Sequence, residues 1–308
     1  MLQARVFDGP IMVLGEAMIE LSAITANKAT IGVAGDTFNT AVSLARLGSD
    51  VSYITAVGDC GFSDRIRRAI ASEGIDDSLV QMIPESRPGL YAVELDELGE
   101  RSFVYWRSSS AATKLLNSAF SGVILKAVAS CDVLYLSGIS LSIFPIPQRN
   151  YLIQAMKEAK ERGADVIFDG NYRSRGWSSA SDARAALTDA YANTTMALPT
   201  FEDEHDLFGD EIPEETASRL FALGANEVVV KDGARGALID GSNWATPSQL
   251  LTPIDTTGAG DAFNAAYINA RLTGSKKADA AARANALAAA VIMQTGALLP
   301  HEHEAYAS

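Results

Sequence analysis

The chain has 308 residues, 48% hydrophobic and 20% charged, which suits one large globular domain or two ordinary ones. A net charge of −13, with no Lys/Arg cluster beyond pairs such as Arg67-Arg68 and Lys276-Lys277, argues against a nucleic-acid binder. No apolar run reaches the ~18 residues of a membrane span, and the start MLQARVFDGPIMVLGE lacks the apolar core and cleavage site of a signal peptide.

Apolar β-rich runs alternate with helical ones along the chain, the pattern of βαβ units and a mostly parallel sheet. IMVLGE (11–16) reads as a buried first strand, and GDTFNTAVSLARLG (35–48) as a helix stopped at Gly48. VSYITAVG follows as a strand. Further strands are expected at CDVLYLSG (131–138), ADVIFDGN (164–171), TTMALPT (194–200) and NEVVVKDG (226–233). Each ends in a polar or glycine-bearing turn, and ligands of open α/β sheets sit at such carboxyl ends. One stretch departs from the series. GLYAVELDELGERSFVYWR (89–107) alternates with period two around a turn at Gly99, so it predicts an antiparallel hairpin with Arg101, Phe103, Tyr105 and Arg107 on one face. A hairpin inserted among βαβ units suits a lid.

Two distant cysteines, Cys60 and Cys131, form no CxxC pair, so neither a zinc site nor a redox motif is expected, and free thiols fit a reducing cytoplasm. The tail HEHEAYAS is expected to be solvated and frayed rather than a metal site.

The most informative stretch is DTTGAGDAFNAA (255–266). The first turn of a helix has unpaired N–H groups and partial positive charge, and Gly-Ala-Gly leaves that backbone open to a phosphate or developing anion. Asp261 in the same turn suits a general base that deprotonates an attacking hydroxyl. The competing reading is an aspartate that only complements the helix dipole. GAG fits neither GxxxxGK[ST] nor a first-strand GxGxxG, which disfavours a Walker NTPase and a typical dinucleotide dehydrogenase.

DTTGAGD resembles the second signature of the ribokinase-like (PfkB) carbohydrate kinases. GVAGDTFNTAVSLARLG (32–48) resembles their first signature, and VVVKDGARGAL (228–238) their strand and turn leading to the nucleotide. The likeness spans nearly the whole chain. It implies a single three-layer α/β/α domain over 1–308, with a mostly parallel central sheet and a small β-sheet lid from strands around 16–34 and 89–107. ATP and Mg²⁺ are the implied companions, with a monovalent cation as a further option. Asp261 would be the base, and the N–H groups of Gly258, Ala259 and Gly260 the anion hole. Lys231, Gly233, Gly236, Thr256 and Asn285 would lie along the nucleotide together with Gly258 and Gly260. The family's N-x-x-E motif, whose acid organises the metal water shell, is altered here: PTFEDEHDLFG (199–209) puts Thr200 and Asp203 in its places, so Asp203 or Glu202 would attract Mg²⁺.

GEAMIELS, RPGLYAVELDELGERSFVYWR and FDGNYR further resemble the branch of the family that phosphorylates 2-keto-3-deoxygluconate at its C6 hydroxyl. That likeness implies a sugar-acid site of Gly35, Asp36, Asn39, Tyr91, Tyr105, Arg107, Asn171 and Arg173. Guanidinium forks match a carboxylate, and charge-assisted bonds are about twice as strong as neutral ones. Arg175 is equally compatible with a surface role, and Trp106, on the opposite face, is assigned to packing or a lid interface. A homodimer or higher homo-oligomer is implied, with lids meeting. Fructokinase, 5-keto-2-deoxygluconate kinase and a catalytically inactive sugar-acid sensor stay open as alternatives. A nucleoside kinase would carry fewer arginines.

Overall fold

A computed structural model describes residues 9–95 and 101–307. Its strands are β1 (Ile11–Leu14), β2 (Met18–Ser22), β3 (Thr30–Ala34), β4 (Val51–Val57), β5 (Val80–Met82), β6 (Leu90–Leu95), β7 (Arg101–Trp106), β8 (Val133–Ser137), β9 (Asp165–Asp169), β10 (Met196–Ala197), β11 (Glu227–Lys231), β12 (Ala237–Ile239) and β13 (Asn243–Ala245). Its α-helices are α1 (Asp36–Arg46), α2 (Gly61–Ser72), α3 (Ser121–Ser130), α4 (Gly138–Ser142), α5 (Ile146–Glu161), α6 (Ala180–Ala192), α7 (Phe201–Phe208), α8 (Pro213–Ala222), α9 (Ala259–Leu272) and α10 (Lys277–Val291).

The large sheet runs β13-β12-β11-β10-β9-β8-β1-β4-β5, parallel from β5 to β11, with β12 and β13 added antiparallel. Its strands read as continuous apolar runs because both faces are covered. Alternation divides them between two cores. Val13, Tyr53, Tyr135, Ile167 and Val229 face α1, α2, α9 and α10. Leu14, Ile54, Leu134, Phe168 and Val230 face α3, α5, α6 and α8. The result is the three-layer α/β/α arrangement expected from the sequence. The expected 194–200 strand is regular over only Met196–Ala197, after which Phe201 opens α7.

A separate sheet, ordered β3-β2-β6-β7, stands beside the large one. The hairpin pairs Tyr91 with Tyr105 and Val93 with Phe103, as period two requires. The rings of Tyr91, Phe103 and Tyr105 lie 5.6–6.4 Å apart on one face. Trp106 points the other way and is 59% exposed. The turn at Gly99 and the side chain of Arg101 lie outside the described residues.

The expectation of a frayed tail is overturned. Glu304–Tyr306 form a 3₁₀ turn, and Tyr306 is buried with the Arg46 guanidinium 5.6 Å from its ring. Arg46 also donates to Leu299 O at 2.6 Å and pairs with Glu73. A cationic side chain on α1 therefore fixes the end of the chain. Among the described residues no helix is long and apolar enough to cross a membrane.

Candidate active site

The chain leaves β1 for β4 on one side and later reaches β8 on the other. The ends of β1 and β8 thus form the switch point where open α/β sheets bind ligands. Side chains from both halves of the sequence meet there. Asp36 opens α1, and its Oδ2 accepts from Ser137 Oγ at 2.5 Å and Asn171 Nδ2 at 2.9 Å. Asn171 adopts φ 34°, a left-handed conformation that asparagine tolerates better than most residues.

Asp261 lies in the first turn of α9 and accepts from Asn39 Nδ2 at 2.9 Å through Oδ2. Gly258 caps this helix at φ 78°, and a Cβ there would stand 2.6 Å from Ala297 O, so only glycine fits. Asp255 fixes the approach by accepting from Thr257 N at 3.0 Å and Gly296 N at 2.6 Å. One element of the expected anion hole needs correction. Ala259 N already donates to Thr256 O at 3.2 Å, which leaves the amides of Gly258 and Gly260 as the candidates for that role. Thr256 acts here through its carbonyl, within the loop.

Burial, then the charges of Asp36 and Asp169, push the Asp261 carboxyl up to about 8, while the Asn39 hydrogen bond and Lys231 pull it down. A base with that affinity for a proton suits hydroxyl deprotonation near neutral pH. Lys231, at the end of β11, is buried and pairs with Asp169 at 2.8 Å. It also donates to Asn264 Oδ1 at 3.0 Å, and Asn264 Nδ2 binds Asp169 Oδ2 at 2.7 Å. A Cβ on Gly260 would lie 3.7 Å from the Lys231 ammonium, so a buried cation sits against the open end of α9.

The arginines come from different elements. Arg107 follows β7 and pairs at 2.6 Å with Glu16, whose side chain is 2% exposed. Arg173 is more open and pairs with Asp203 at 2.8 Å. Tyr105 feels the charges of Arg107, Arg173, Asp36 and Arg175, although burial is the larger influence and raises its pKa. Tyr105, on the same face of the small sheet as Tyr91 and Phe103, thus stands within electrostatic range of Asp36 and these arginines. Tyr91 donates to Glu20 across the β2–β6 pair.

The acidic run of α7 divides three ways. Glu202 is exposed, which sets it apart from the more enclosed site carboxylates. Glu204 turns inward to Tyr191 at 2.5 Å and Arg219 at 2.8 Å, a structural anchor between α6, α7 and α8. Asp203 faces Arg173; burial lifts it to about 6, opposed by Arg173 and reinforced by Asp169. Its Oδ2 is buried and has no hydrogen-bond partner among the described residues, so Asp203 fits a cation. No group of three potential ligands is preassembled among those residues.

Gly233 and Gly236 form the turn between β11 and β12. Asn285 on α10 donates to Ala245 O at 2.8 Å, holding the end of β13 beside that turn. Sequence reading did not single out Glu16, Glu20, Ser137, Asp169, Asp255 or Asn264. Only the strand-end positions of Ser137 and Asp169 offered a signal.

A family model described as pfkB family carbohydrate kinase matches residues 9–304. The 2-dehydro-3-deoxygluconokinase of Escherichia coli K12 is 40% identical, over 95% of this chain and 97% of its own. The fructokinase of Vibrio alginolyticus is 29% identical over 82% of this chain and 81% of its own. The crystal structure of Vibrio cholerae fructokinase with fructose, ADP and calcium superposes with a TM-score of 0.83 at 27% identity, covering 97% of this chain and 98% of that one.

Proposed function

The chain belongs to the pfkB family of carbohydrate kinases, and from that premise we propose that it transfers the γ-phosphoryl group of ATP to the C6 hydroxyl of 2-keto-3-deoxy-D-gluconate, giving 2-keto-3-deoxy-6-phosphogluconate. The observation that carries the reaction is Asp261, held by Asn39 in the first turn of a glycine-opened helix beside buried Lys231. Asp261 takes the hydroxyl proton on Oδ1 as the hydroxyl oxygen bonds to the γ-phosphorus and the bond to ADP breaks. The amides of Gly258 and Gly260, with Lys231, face the charge that grows on the transferred group. ATP supplies the phosphoryl group, and Mg²⁺ supplies charge neutralisation between its phosphates when bound. Asp203, whose Oδ2 is unpaired among the described residues, would hold Mg²⁺, and Gly233, Gly236 and Asn285 would border the nucleotide.

Substrate choice rests on charge. Arg107 and Arg173, with Tyr91 and Tyr105, suit a carboxylate better than a neutral hexose. Asp36, Asn39 and Asn171, with the backbone at Gly35, serve the hydroxyl groups. Relatives named 2-dehydro-3-deoxygluconokinase reach 40% identity, whereas those named fructokinase stand near 30%, which supports the acid. The small sheet acts as a lid on one kinase domain. Its other face exposes Ile31, Val104 and Trp106, which supports a homo-oligomer formed through lids. The free thiols Cys60 and Cys131 fit a cytoplasmic setting.

The test is ATP consumption by the purified protein with Mg²⁺ on 2-keto-3-deoxygluconate, fructose, ribose and adenosine. Fast turnover confined to the keto acid supports the proposal. Turnover on fructose instead would remove the substrate assignment and leave the phosphotransfer site intact.

A further inference from the structure

The small sheet is joined to the large one by four stretches of chain, and all four meet at Glu16. The first, between β1 and β2, contains Glu16 itself. The second leaves β3 through Gly35, where a Cβ would stand 2.3 Å from Glu16 O. The third enters β6 through Gly89, where a Cβ would stand 2.6 Å from Glu16 Oε1 and 3.2 Å from Arg107 Cβ. The fourth leaves β7 at Arg107, whose guanidinium lies 2.6 Å from Glu16 Oε2. Neither Glu16 oxygen has an aligned hydrogen-bond donor among the described residues, so the facing Arg107 charge is what compensates this buried carboxylate.

We propose that Glu16 is a positioning residue: it aims Arg107 at the carboxylate of the sugar acid and ties that arginine to the hinge of the small sheet, so that reading the acid and seating the sheet are one event. The inference rests on the sugar-acid reading given above. Two effects of removing the Glu16 charge oppose one another. Coulomb repulsion between Glu16 and the incoming carboxylate would vanish, which by itself tightens binding. A long, rotamer-rich side chain would also lose its fixed aim at a planar, bidentate target, which weakens binding. Burial decides between them. Glu16 is enclosed and in contact with the guanidinium, whereas Arg107 must reach a ligand from the end of a strand, so loss of aim dominates.

The experiment is calorimetric binding of 2-keto-3-deoxygluconate to the full chain as wild type, Glu16→Gln, Arg107→Ala and the double variant, with ADP binding measured alongside. Glutamine keeps the shape and removes the charge. The expected result is an acid Kd about 10- to 100-fold weaker in Glu16→Gln, by analogy with other second-layer supports, with ADP affinity unchanged. In the Arg107→Ala background the same change adds less than about twofold, because Glu16 acts through Arg107. Unchanged or tighter acid binding by Glu16→Gln overturns the inference. So does a loss that adds fully to that of Arg107→Ala, which marks a merely structural carboxylate. A wild-type chain that binds fructose and not the acid sinks the substrate reading and this inference together. Acid binding by wild type and Glu16→Gln alike sinks this one alone.

Discussion

Removing the Lys231 charge separates stability from catalysis if the proposed site is right, because the same ammonium pairs with Asp169 and stands against Gly260. Lys231 and Asp169 are 9% and 5% exposed in their side chains and 2.8 Å apart. Lys231→Met leaves Asp169 buried with no facing ammonium, and with the Asn264 amide and the Asn171 backbone N–H as its neutral donors. Breaking such a pair from one side costs about 3–5 kcal/mol. At about 1.5 °C per kcal/mol for a chain of this size, Tm falls by roughly 5–8 °C. Catalysis falls for another reason: the cation against Gly260 is lost, and one missing anion-stabilising donor costs about 10²–10³ in kcat. The double variant Lys231→Met/Asp169→Asn removes both charges, so most of the lost Tm returns while kcat stays low. Thermal melts and steady-state kinetics on the three proteins decide the matter. Wild-type kcat in Lys231→Met, or recovered kcat in the double variant, would refute the catalytic role and leave a structural ion pair.

Asp261→Asn should lower kcat by about 10²–10⁴, the usual worth of a general base, while calorimetry still detects sugar-acid binding. The pH profile of kcat/KM should rise through about 8, because only the ionised Asp261 accepts a proton and its carboxyl is raised to that range. Asp36→Asn removes a neighbouring negative charge, so the same limb should move to lower pH, whatever it does to KM; an unmoved limb would assign it to another group. Arg107→Ala should raise KM for the acid about tenfold or more and spare KM for ATP, by steady-state kinetics with each substrate varied. Gly258→Ala forces a Cβ against Ala297 O at φ 78°, and should cost about 2 kcal/mol or more, read as a lower midpoint in denaturant.

Local pattern made much of this molecule legible. Period two revealed the hairpin, with Tyr91, Phe103 and Tyr105 on one face, because alternation is a property of adjacent residues. The alternation of apolar strands with helices announced a mostly parallel sheet, and the family resemblance added the helices on both of its faces. Glycines before Asp261 marked a helix start that a side chain would block. Other features depend on partners far along the chain. Glu16 looks like any strand-end acid until Arg107 arrives beside it, and Asp169 shows its role only with Lys231 and Asn264 against it. The tail looked solvated because nothing in HEHEAYAS reveals that Tyr306 lies beneath Arg46. Within FEDEHD, composition could not distinguish the exposed, site-facing and buried acids. Helical rotation assigns those roles.

Asn39 and Asp261 are separated by 222 positions yet share one hydrogen bond. During synthesis at about 5–20 residues per second, the amide waits for its carboxylate for roughly 11–44 seconds. Strands β1, β4 and β8 are made long before α9, so much of the parallel sheet must emerge without the helix that covers one face. Until α9 and α10 emerge, that face has only α1 and α2 over it, as where Phe38 packs on Tyr53, and the Asn264 amide that binds the Tyr135 hydroxyl has yet to be made.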